Sequence, residues 1–157
     1  MRPPIALLLL AALLTAGCAA ARGPVSNGVS LEMEFRRGDD SIALFRVRPD
    51  DTIAYGGGRD AIQGRTTWSG PLTAEEAAEL RTLLDDRGWF SPVPALTDAA
   101  ADVAYRVSLA GPGGTARFSL DGESEAVVPV RGLLETAAAR RLDPVLVRLP
   151  RPSAAKP

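Results

Sequence analysis

The spacing of apolar and polar residues changes several times along the chain, and each change marks an element. Residues 5–14 form an uninterrupted apolar run of ten, half of the ~20 needed to cross a bilayer as a helix. Small residues follow, and from 31 to 36 apolar and charged side chains alternate strictly as Leu, Glu, Met, Glu, Phe, Arg. Alternation of that kind predicts a half-buried strand. Gly38-Asp39-Asp40 predicts a turn, 42–48 a second strand, Pro49-Asp50-Asp51 a turn with Pro fixing φ, and 52–55 a third strand. Gly56, Gly57 and Gly58 read as a break, and 62–68 as a fourth strand. These connections are too short for parallel crossovers, so the strands read as an antiparallel meander.

The period then shifts to helical. Thr73 and Glu76 make a capping box, each able to satisfy the other's free backbone N–H. Ala77, Leu80, Leu83 and Leu84 follow on one face, and Gly88 sits where a helix ends in a left-handed residue. Residues 103–109 and 116–120 alternate on either side of Gly111-Pro112-Gly113-Gly114, which predicts a hairpin. A second helix is expected from about Pro129, with Val130, Leu133, Leu134, Ala137 and Ala138 on its apolar face and Asp143-Pro144 as its end. Residues 145–149 read as an edge strand or extended clasp, and 150–157 as a disordered tail. Strands, helix, hairpin and helix in that order imply one α+β domain over 30–149. Its antiparallel sheet, a meander plus a hairpin, is packed on one face by two helices.

The N-terminal apolar run has the length of a signal-peptide core. It leads into Leu14-Thr15-Ala16-Gly17-Cys18, a lipobox, and over residues 1–18 the chain resembles bacterial lipoproteins. The resemblance implies cleavage between Gly17 and Cys18, removal of 1–17, and acylation of Cys18. More than one acyl chain then gives stable anchoring, at ~0.8 kcal/mol per buried CH₂. Thr15 departs from the family's usual Leu three residues before the cysteine. An ordinary secretory signal cut after Ala21 is the other reading, and it would discard Cys18. Ala19 lacks the inner-membrane retention signal of well-known cases, so the resemblance favours the outer membrane, facing the periplasm. Residues 18–29 read as a short flexible tether.

Without residues 1–17 the chain has 140 residues, enough for one core. Removing Arg2 from the 18 basic residues leaves 17 against 19 acidic, a net charge of −2 with the signs interspersed. That balance gives no reason to expect nucleic acid as a partner. Histidine is absent and Cys18 is the only cysteine. A lipidated Cys18 leaves no thiol for a disulfide, a nucleophile or a metal, and the absence of His removes the usual Ser-His-Asp arrangement and most zinc sites.

Candidate sites are few. Asp39-Asp40, Asp50-Asp51 and Asp85-Asp86 are carboxylate pairs at expected turns or a helix end, and none has calcium-loop spacing. Gly56-Gly57-Gly58-Arg59 lies between strands, where a dinucleotide fingerprint does not occur. Asp121-Gly122-Glu123-Ser124-Glu125 is an acidic loop, explained as a solvated turn. Trp89 and Phe90 are expected in the core, while Trp68 and Tyr55 are the residues named for contact with a partner. No catalytic residue, metal ligand or cofactor is assigned. The expectation is a membrane-anchored, non-enzymatic module that binds an envelope protein or supports an assembly; a small carboxylate-dependent hydrolase acting on envelope polymers is the alternative. The helix that begins Leu72-Thr73-Ala74-Glu75-Glu76 and ends Gly88-Trp89-Phe90 is similar to small bacterial envelope proteins, a resemblance that implies no particular activity.

Overall fold

In the computed structural model, which describes residues 28–91 and 102–148, strict alternation becomes strand β1 (Ser30–Arg37), with Leu31 and Met33 buried on one side. β2 (Asp40–Val47), β3 (Thr52–Gly57) and β4 (Trp68–Pro71) extend the sheet from it. The hairpin β5 (Val103–Gly111) and β6 (Gly114–Asp121) pairs with the other side of β1. The six strands lie in the order β4-β3-β2-β1-β5-β6, and every pair is antiparallel. The α+β architecture read from the pattern is therefore the observed one. The expected signal, most of the tether and the tail lie outside the described residues. Val29, last residue of the expected tether, is buried in the core.

Register fixes which side chains share a face. Leu31↔Val47, Met33↔Phe45 and Phe35↔Ala43 continue through Leu31↔Leu109, Met33↔Val107 and Phe35↔Tyr105, so one face is continuously apolar. Helices α2 (Ala74–Asp86) and α3 (Val128–Ala139) cover it, contributing the fully buried Leu80, Leu84, Val130 and Leu134. Each such side chain contributes roughly 1.5–3 kcal/mol of burial free energy.

The helices run antiparallel across the strands. α2 starts beside β4 and leads to Phe90, whose ring lies on Gly113 of the β5–β6 turn. α3 starts where Arg131 reaches Tyr105 on β5, and its end meets β4 through Arg140 and the Pro71 carbonyl. Twelve helical residues span about 18 Å, close to the four strand spacings of about 4.8 Å that separate β5 from β4.

Four expectations are corrected. Residues 62–68 are not a strand: α1 (Arg59–Ile62) intervenes, and β4 begins only at Trp68. Gly58 at φ 54° turns the chain, and the Asp60 carboxylate accepts hydrogen bonds from Arg65 and Thr67, closing the loop. Gly56 and Gly57 are not a break but the end of β3, because the Arg65 carbonyl occupies the space a Gly56 Cβ would need. This loop lays Ala61 over Leu44 and Ala54, which are buried on the sheet face away from α2 and α3. Asp143-Pro144 does not terminate the helical region either. The chain continues through a 3₁₀ turn (Arg140–Leu142) into α4 (Asp143–Leu146), since Pro is compatible with a first helical turn. Residues 145–148 are accordingly not a strand.

The candidate functional site, a cleft between the sheet and α3

Small residues on facing surfaces create a recess between the layers that reaches solvent. Ala43 on β2 faces Ala138 and Ala139 on α3, and the gap between them is about 260 Å³. Phe45 and Tyr55 complete the floor, and Glu135, Arg141 and Leu142 complete the wall. The Tyr55 ring leans along β3 over Gly57, which has no side chain to displace it. Arg141 Nη1 donates to the Ala138 carbonyl at 2.8 Å, and its guanidinium sits 4.4 Å from the Tyr55 ring centre. Cation–π contact of this kind is worth ~0.5–1 kcal/mol at an exposed site. A 260 Å³ recess is a little smaller than the ~300–1,000 Å³ of typical small-molecule sites.

Beside it lies a second polar cluster. Arg131 donates to the Tyr105 hydroxyl at 2.7 Å and to Glu123 at 2.5 Å, lies 3.6 Å from Glu135, and stands 5.4 Å above the Phe35 ring. Phe35 and Tyr105 stack with centres 5.0 Å apart. The hydrogen bond to Glu123 raises the Arg131 pKa, and burial raises that of Tyr105 despite the arginine beside it. Glu135 therefore has two environments, the cleft on one side and Arg131 on the other.

Away from the apolar patch under α1, the opposite face of the sheet is polar. Arg46 pairs with Glu32 at 2.7 Å and Arg106 with Glu34 at 3.1 Å, each directly across from its partner in register, while Ser41 also donates to Glu34. An open trough of about 530 Å³ on this face is lined by Ser30, Glu32, Ser108, Thr115 and Arg117.

The residues singled out from sequence fall in several places. Tyr55 lines the cleft, and Trp68 is its register neighbour on β4, half-buried against the core with its ring over Gly70. Trp89 is fully buried and Phe90 packs against the core. Asp39 and Asp40 lie at the β1–β2 turn, and Asp85 and Asp86 at the end of α2. Hydrogen bonds from the Thr52 side chain and then the Thr52 backbone lower the Asp50 pKa, and Asp51 adopts φ 61° in the same turn. Glu123 of the acidic loop is tied to Arg131. Among the described residues no three acidic, His or Cys side chains are placed to hold a metal, and no helix is long and apolar enough to cross a membrane. Glu135, Arg141 and Leu142 were not singled out from sequence; only the path of α3 brings them to Tyr55.

A scan against protein-family models and a search of curated proteins both find no match for this chain.

Proposed function

We propose that the chain is a lipid-anchored cell-envelope protein, held through Cys18 in the outer membrane, whose domain binds another protein at the Tyr55–Arg141 cleft. The observation that carries the proposal is the apolar rim of that cleft. Leu142 lines it at 45 % exposure, and Val145 and Leu146 follow on α4 at 56 % and 57 %. Tyr and Arg are enriched in binding hot spots, and grouped exposed apolar side chains such as those beside this pair mark interaction surfaces. The lipobox supports the address, and the interspersed charge supports a protein partner over nucleic acid.

The test is site-specific photocross-linking in intact cells producing the full-length protein. A photoreactive residue at Leu142 or Val145 is expected to give one discrete adduct, lost on Arg141→Glu; the same residue at Asp86 gives none. Labelling with a radioactive fatty acid is expected for the wild type and absent for Cys18→Ala. Equal adducts at Asp86 and Leu142 would overturn the cleft, and unlabelled wild type would overturn the anchor. Glu135 is the one carboxylate lining the cleft, so the hydrolase reading requires a substrate that supplies the complementary group. Turnover of envelope polymer lost on Glu135→Gln would favour it.

A further inference from the structure

The sheet has two edges, and they are built differently. β4 is four residues long and ends in Pro71, which has no N–H to offer and whose carbonyl accepts from Arg140 at 2.7 Å. Short edges and edge prolines are ordinary protection against pairing with another chain. β6 has eight residues, contains no proline, and has no strand on its outer side among the described residues.

Parity determines what that edge presents. Gly122 N donates to the Val103 carbonyl at 2.7 Å, so even-numbered residues of β6 direct their backbone groups to β5. In an antiparallel ladder the direction alternates, and Thr115, Arg117, Ser119 and Asp121 turn theirs outward. The side chains of the same four residues lie on the polar face, because their partners Ala110, Ser108, Arg106 and Ala104 lie there. Arg117 and Asp121 make no ion pair or side-chain hydrogen bond with another described residue, unlike Arg46 and Arg106. Four residues apart on one strand, they are about 13 Å from each other. That is too far for them to pair with each other, but each is placed to pair with an opposite charge on a strand added at this edge.

We infer that β6 pairs antiparallel with β6 of a second copy of this chain, about a two-fold axis at Ser119, so that Arg117 of each copy faces the partner's Asp121. This register also sets Phe118 against the partner's Leu120 on the apolar side, extending both cores. The neighbouring two-fold registers lose the reciprocal pair: an axis at Phe118 leaves Arg117 opposite a serine, one at Leu120 leaves Asp121 opposite a serine, and one at Arg117 opposes two like charges. An isologous contact with reciprocal ion pairs closes on itself as a dimer, which blocks further growth from an otherwise open edge. The inference goes beyond the cleft and does not rest on it, since β6 shares no residue with the cleft.

The experiment uses the purified full-length chain with Cys18→Ser, so that any introduced cysteine is the only thiol. Ser119→Cys is expected to form a disulfide dimer under mild oxidation, because hydrogen-bonded antiparallel partners have Cα atoms about 5.5 Å apart, inside the range a disulfide spans. Thr115→Cys places the two thiols about 27 Å apart along the ladder and is expected not to cross-link. By sedimentation, Arg117→Asp is expected to weaken dimerisation about tenfold or more, and adding Asp121→Arg to restore it. A monomer at all concentrations, equal cross-linking at Thr115 and Ser119, or a dimer insensitive to Arg117→Asp would each overturn the proposal. The charge-swapped double variant separates a lost contact from a lost fold.

Discussion

Glu76 and Arg140 join the first turn of α2 to the end of α3. Arg140 Nη1 lies 3.0 Å from both Glu76 carboxylate oxygens, while Glu76 Oε2 accepts the Thr73 backbone N–H at 2.7 Å. One carboxylate thus closes the capping box and ties the two helices together. The functions separate by mutation. Glu76→Gln keeps an acceptor for Thr73 but loses the charge, and is expected to cost about 0.5 kcal/mol, as a partly exposed ion pair does. Glu76→Ala loses both and is expected to cost about 1–2 kcal/mol. Urea unfolding of both variants checks the order; equal losses would mean that the ion pair alone matters.

Two glycines give opposite expectations for the same substitution. At Gly56 an added Cβ collides with the Arg65 carbonyl, a backbone atom that moves only if the α1 loop moves. Gly56→Ala is expected to destabilise by about 1–3 kcal/mol, the usual cost of overpacking, and to speed proteolysis within 58–67. Gly132 lies inside α3 with nothing within 4 Å of the added atom. Gly132→Ala is expected to stabilise by about 0.5–1 kcal/mol through helix propensity alone. Thermal melts of the pair make the comparison within one experiment.

The two tryptophans should report different surroundings. Trp89 is 1 % exposed and meets Phe118 edge-on with ring centres 5.4 Å apart, whereas Trp68 is only half-buried over Gly70. Trp68→Phe should leave blue-shifted emission that iodide barely quenches. Trp89→Phe should leave redder emission that iodide quenches several-fold more strongly. Indistinguishable quenching in the two variants would contradict the placement of both rings.

What the pattern revealed and what it hid have physical reasons. The capping box at Thr73 and Glu76, the left-handed Gly88 and the hairpin at 111–114 are local signals, and each appears as read. β4 was misplaced because Ile62 looks like a strand residue in an apolar–polar pattern, yet it is 60 % exposed on α1. Gly56 read as a break because close approach of a distant carbonyl leaves no mark in sequence. Asp143-Pro144 reads as a stop because proline breaks a helix interior, yet here it opens the first turn of α4, where the same residue is compatible. The cleft was not legible at all. Tyr55 and Arg141 are far apart in the chain, and only the crossing of α3 over the sheet brings them together. The separation of the faces was legible, since Glu32 and Glu34 alternate with Leu31, Met33 and Phe35.

Alkaline titration tests the buried end of the Arg131 cluster. Tyr105 is fully buried, and that burial raises its pKa even though Arg131 beside it acts the other way. The folded state therefore holds the phenol proton more tightly than the unfolded chain, whose tyrosines ionise near pH ~10. By linkage, the associated stability is fully present below about pH 10 and is lost as pH rises through the higher folded value. Tyr105→Phe removes the titrating group together with the acceptor of the 2.7 Å bond from Arg131. At pH 8 the variant should be less stable by about 0.5–1.5 kcal/mol, the net worth of such a bond. Above about pH 10 the wild type should lose stability faster, because only it carries the buried phenol, and the gap should narrow. Urea midpoints at pH 8 and pH 10.5 decide the matter. A gap that is constant or widening with pH would show that Tyr105 ionises at least as easily in the folded protein as in the unfolded chain, and that the ring is not desolvated beneath α3.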